Sequence, residues 1–267
     1  MPLDPSDVDA DISLLPEITS RPTGYFEQSR GPLASLALVG PLLIFYEVGV
    51  LVLGPGSARN GADAWLRQLL DLAGFGQYFV LPVLTVAILL AWHYATRRHW
   101  RLSGHLLGGM VLECAVLSVC VLLLGRLQSA FLFAVQAAAD AAPPVAAAAG
   151  AAEGGLFARL VGFVGAGVYE ELLFRLMLLP AAAAALRLAG LKPAASLVGG
   201  AVLTSLAFAA AHYVGPLGDD WQLGSFVFRF LAGGFFAVLF VLRGFGIAAG
   251  SHAGYDILVG VLLPRSW

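Results

Sequence analysis

Charge is what this sequence has least of. Only 12% of its 267 residues are Asp, Glu, Lys or Arg, about half the ~25% usual in a soluble domain. The net charge at pH 7 is −2. That balance argues against a nucleic-acid partner, because such binding rests on Lys and Arg neutralising phosphates. Cysteine is nearly missing: Cys114 and Cys120 are the only two, six residues apart in one apolar segment. The spacing suits neither a disulfide within one helix nor a metal knuckle, so both read as small packing residues. Short alternating strands are lacking, which excludes a transmembrane β-barrel. No basic start leads into a short apolar core with a small-residue cleavage site, so no signal peptide is expected. No internal repeat is visible, so a transporter built from inverted repeats gains no support.

What the chain does have is apolar length. It is 59% hydrophobic, with a mean hydropathy of +0.84. Several runs reach the roughly 20 residues that cross a bilayer. The expected fold is all-α: a polytopic transmembrane helical bundle of about seven spans, at 33–54, 78–95, 105–125, 156–186, 194–213, 223–242 and 246–263. Residues 1–30 form a polar, acidic tail, and 31–136 hold the front three spans. Between those spans, Ala62 to Leu72 is an amphipathic pattern suited to lying in the membrane interface. An Ala-, Gly- and Pro-rich connection at 137–155 leads to the back part, 156–267. Basic residues at 97–101, Arg187 with Lys192, and Arg243 fall on one side. By the positive-inside rule that side and the N-terminus are expected to be cytoplasmic. The expected location is a bacterial inner (cell) membrane, with the lipid bilayer as a partner.

From Gly154 onward the chain has only five acids and two histidines. Asp219 and Asp220 lie in a loop and read as solvated charge. The rest fall into three short patterns: Glu170-Glu171-x-x-x-Arg175, Phe208-x-x-x-His212 and His252-x-x-x-Asp256. A charge at membrane depth costs about 2.5–3.5 kcal/mol on insertion scales, so it usually carries function. Glu171 and Arg175 are one helical turn apart and can pair, while Glu170 lies about 100° round the helix, free for another task.

These patterns resemble the signature of the CPBP (Abi) family, the CAAX-prenyl-protease and bacteriocin-processing intramembrane proteases. The resemblance covers roughly residues 154–263; the front three spans carry no matching motif. It implies an intramembrane endopeptidase acting on a membrane-associated protein or peptide, with its catalytic core in the last four spans. It implies that Glu170, His212, His252 and Asp256 are catalytic. Glu170 and His212 would activate water, and His252 and Asp256 would stabilise the oxyanion. Glu171, Arg175 and Phe208 would support them. A metal-free glutamic mechanism is favoured; the alternative is a zinc site of Glu170, His212 and His252. The rival functions are a non-catalytic scaffold or partner-binding protein on the same fold, and a small-solute transporter. Counting spans leaves one difficulty, because it puts His212 and His252 near opposite ends of their helices. Gly244, Gly246, Gly250 and Gly254 suggest a non-helical start to the last span that would bring them together.

Overall fold

A computed structural model of the chain describes residues 24–54, 59–76, 78–97, 99–138, 155–215 and 218–263. All secondary structure among them is helical: α1 (Tyr25–Ser29), α2 (Pro32–Leu53), α3 (Gly61–Leu72), α4 (Val80–Ala95), α5 (Gly104–Ala138), α6 (Leu156–Gly165), α7 (Leu179–Leu188), α8 (Pro193–Ala211), α9 (Leu223–Arg243) and α10 (Phe245–Ile257). Two π-helical stretches, Ala166–Glu170 and Leu172–Leu178, join α6 to α7, and a third, Leu258–Leu262, continues α10. The fold is an all-α polytopic bundle. Helices α2, α5, α8, α9 and the last rod are long and apolar enough to cross a membrane, and α4 is a shorter apolar helix. Every expected span is matched by a helical rod.

Local chemistry sets the boundaries. Pro32 and Pro193 open α2 and α8 at the first helical positions, where the missing N–H costs nothing. Gly244, at φ +86°, makes the whole turn between α9 and α10. A Cβ there would lie 2.8 Å from the Arg30 carbonyl oxygen. The last span is therefore helical from Phe245 onward, and the expected non-helical start is reduced to this one residue. Helix α5 runs 35 residues, well past the expected end at 125. Its continuation, Arg126 to Ala138, is rich in Ala, Leu and Gln, which favour helix. At about 1.5 Å per residue it outreaches a ~30 Å hydrocarbon core.

The tail and the connection at 137–155 fall mostly outside the described residues. Residues 24–30 are an exception, because α1 docks onto the bundle there. The Tyr25 hydroxyl donates to Glu113 at 2.6 Å, and Arg243 reaches Glu113 and the Ser29 hydroxyl at 2.6 and 2.8 Å. Cys114 and Cys120 are both free thiols.

Helix α3 does more than lie in an interface. Its Ala62, Asp63 and Leu66 are buried against the bundle, while Leu69 and Leu72 remain exposed. Asp63 accepts from Tyr46, Arg59 and Arg67 at 2.6 to 2.8 Å. Arg67 also reaches Glu47 at 3.0 Å, and Glu47 accepts a hydrogen bond from the Tyr169 hydroxyl. The front acid Glu47 is thus the link that clamps α3 to the first π stretch.

The approach of that π stretch to α10 depends on small residues. A Cβ on Gly167 would meet Ala253 Cβ and N at 2.6 Å and the Ala249 carbonyl oxygen at 2.8 Å. Two of those three atoms are backbone and cannot swing aside. Gly167→Ala should therefore cost about 1–3 kcal/mol of stability, as overpacking does, and should push Glu170 away from His252. Gly162→Ala is the control, since nothing lies within 4 Å of its Cβ. Thermal midpoints of the two variants in detergent check this: a Gly167→Ala protein as stable as Gly162→Ala would refute the close approach.

Candidate active site

Three rods deliver the site. The helix from Leu156 to Leu188 carries Glu170 and Glu171 where its two π stretches meet. Helical turns of this widened kind are often found at functional sites. A sequence cause for the second stretch is Pro180, which lacks the N–H that would bond the carbonyl one turn back. His212 follows the last residue of α8, and His252 and Asp256 sit one turn apart in α10.

The three patterns meet. Glu170 Oε2 lies 3.9 Å from His212 Nε2 and 3.9 Å from His252 Nε2. Asp256 Oδ2 lies 3.6 Å from the same His252 nitrogen. Their side chains retain a little exposure, from 6% at His252 to 27% at His212. The apparent conflict of depths resolves because α8 ends at the level of Glu170, inside the bundle. Beyond it, the Asp219 N–H donates to the His212 carbonyl at 2.8 Å. Asp219 is not the solvated charge expected: its carboxylate is paired with Arg229 of α9.

Both imidazoles are oriented from behind. His212 Nδ1 is 2.8 Å from the Phe208 carbonyl and His252 Nδ1 is 2.8 Å from Glu171 Oε1. A carbonyl and an ionised carboxylate can only accept, so in both rings Nδ1 carries the proton and Nε2 is turned toward Glu170. Glu171 in turn receives the Arg175 guanidinium at 3.2 Å, and Arg175 also donates to the Gly233 carbonyl at 3.0 Å. Arg175, Glu171 and His252 thus form a buried chain ending at a ring nitrogen. Phe208 packs beneath all of it. Its ring lies 4.4 Å from the guanidinium carbon and edge-on to both imidazoles, while Phe236 stacks on His252 at 4.5 Å.

One contact comes from outside the three patterns. Asn60, just before α3, donates from Nδ2 to Glu170 Oε1 at 2.8 Å. Its Oδ1 caps the helix by accepting from the Ala62 N–H at 2.9 Å. Sequence reasoning missed this residue. The only local signal was an Asn ahead of an amphipathic helix, which foretells a cap and nothing about Glu170.

Glu170, His212 and His252 also form a donor set for zinc. Zinc with bonds of about 2.0–2.1 Å in a tetrahedron would hold its ligand atoms ~3.3 Å apart. The 3.9 Å separations here are wider. Among the described residues no group of three or more His, Cys, Asp or Glu is disposed to hold a metal ion.

Residues 152–258 match the family described as Type II CAAX prenyl endopeptidase Rce1-like. That span contains all seven residues of the three patterns. No curated protein and no solved structure matches the chain.

Proposed function

We propose that this integral membrane protein, whose residues 152–258 match the Rce1-like family of type II CAAX prenyl endopeptidases, is an endopeptidase in which Glu170 activates water against a peptide bond. The observation that supports this is the convergence of Glu170 Oε2 with two imidazole nitrogens, each 3.9 Å away. That gap is too long for a direct hydrogen bond, and one water at about 2.8 Å from each partner would bridge it. In this reading the water gives one hydrogen bond to Glu170 and one to His212 Nε2. Its oxygen attacks the carbonyl carbon as its proton passes to Glu170. His252 Nε2–H donates to the oxyanion, with Glu171 and Asp256 supplying the negative charge that a doubly protonated ring requires. Collapse expels the amide nitrogen, which takes the proton back from Glu170.

No step needs a metal. The wider spacing of the donors favours the water-bridged form over the zinc alternative. The substrate is a peptide segment at the membrane; a prenyl group on it does not follow from these residues. Asn60, the end of α8 and residues 218–222 lie at the end of the bundle opposite the basic loops. Arg59 and Arg67 at this end are paired with acids. With the basic side cytoplasmic, the N-terminus is inside and the site opens outward.

The test is reconstitution in liposomes with a detergent-solubilised bacterial membrane extract, followed by mass spectrometry of new peptide termini. Wild-type protein should generate termini that a Glu170→Gln sample lacks. Treatment with 1,10-phenanthroline, then dialysis and metal analysis, should leave the cleavage rate within about twofold, whereas a zinc enzyme would lose activity as its metal left. The absence of any new terminus would sink the protease reading.

A further inference from the structure

The family-matched segment begins at residue 152, yet one contact to Glu170 comes from Asn60, 110 residues earlier in the chain. The Asn60 amide is polarised by its two duties. Its oxygen is committed to the Ala62 N–H as the cap of α3. A capping oxygen must accept, so the NH2 group is the end left to face Glu170. The backbone around Asn60 is fixed as well. Its N–H donates to the Tyr46 hydroxyl at 3.4 Å, and that hydroxyl donates to buried Asp63 at 2.8 Å. Asp63 is held by Arg59 and Arg67, both of which lie over the Tyr78 ring. The donor is therefore clamped before it meets Glu170.

The consequence falls on the other carboxylate oxygen. Glu170 is on a helical side chain with three rotatable bonds, and no hydrogen bond from its own helix fixes the head group among the described residues. With Oε1 tied to Asn60 at 2.8 Å, Oε2 is turned toward both histidine Nε2 atoms. Oε2 is buried and has no hydrogen-bond partner among the described residues. One oxygen is thus anchored, and the other is left for the reaction.

We infer that Asn60 is a positioning residue for the Glu170 carboxylate, so that the front part of the chain, through the cap of its amphipathic helix, completes the active site. This rests on the Glu170 reading above. Misplacing a reacting group by about 1 Å can cost on the order of 10²-fold in rate.

Serine caps a helix about as well as asparagine but is too short to reach Glu170. Asn60→Ser should keep the wild-type thermal midpoint and KM for a quenched fluorescent peptide spanning a bond cut in the extract, while kcat falls about 10- to 100-fold. Asn60→Ala should show the same kcat together with a lower midpoint, because it also loses the cap. If kcat in Asn60→Ser stays within threefold of wild type while Glu170→Gln is inactive, Asn60 is a helix cap only and the inference fails. A Glu170→Gln protein as active as wild type would instead remove the reading on which the inference rests.

Discussion

Replacing Glu170 with Gln should abolish cleavage and leave the bundle folded. Gln is nearly isosteric with Glu, and its carbonyl oxygen can still accept from the Asn60 amide that now reaches Oε1 at 2.8 Å. What it cannot do is take a proton from water. Loss of a positioned general base costs typically 10²–10⁴-fold, so the residual rate should be at or below the lower end of that range. Stability should not suffer, for a geometric reason. The nearest cationic candidates, His212 and His252, stand 3.9 Å off, beyond hydrogen-bond reach. Removing the charge therefore leaves no tightly paired partner stranded, and it relieves the cost of burying a carboxylate. A thermal midpoint equal to or above wild type, with cleavage lost, is the expected pair of results. A variant that cuts within tenfold of the wild-type rate would show that the water is activated elsewhere.

The parts of this site that could be read in the sequence are those with short-range periods. Glu171 and Arg175, Phe208 and His212, and His252 and Asp256 are each four residues apart, one turn on a helix, so their pairing follows from helical geometry. The apolar runs between them fix the spans in the same way. The unread parts lack any such period. Asn60 meets Glu170 across 110 residues, Tyr169 meets Glu47 across 122 and Arg243 meets Glu113 across 130. Asp219 looked like loop charge because its partner, Arg229, lies ten residues on in the next helix, where no short period links the two. The π stretches were unread as well. Apolar periodicity over Leu172–Leu178 is compatible with an ordinary helix, and only Pro180 hinted at the widened turn. The sequence also understated Glu171. Its azimuth gives the pairing with Arg175, but nothing local shows that it also orients His252, 81 residues on.

The largest loss of stability should come from Arg175→Met. Arg175 is 1% exposed and its partner Glu171 0%. The guanidinium holds Glu171 at 3.2 Å and the Gly233 carbonyl at 3.0 Å, over the Phe208 ring. Methionine fills much of the same space but leaves the buried Glu171 carboxylate without its guanidinium, facing only the His252 ring. Breaking one side of a buried ion pair in this way costs about 3–5 kcal/mol. The damage reaches the chemistry too, because Glu171 Oε1 is the group that orients His252. Arg175→Lys keeps the charge but not the planar fork, so it should fall between the two. The double variant Arg175→Met with Glu171→Gln removes the stranded charge. It should recover much of the lost stability, since coupled partners are not additive. It should not recover activity, because the neutral amide of Glu171→Gln supplies no negative charge behind the His252 ring. SDS unfolding titrations and cleavage rates on the same four proteins decide this. A single Arg175→Met protein within about 1 kcal/mol of wild type, or a double variant no more stable than the single, would mean that the Arg175–Glu171 pair is not what holds these helices together.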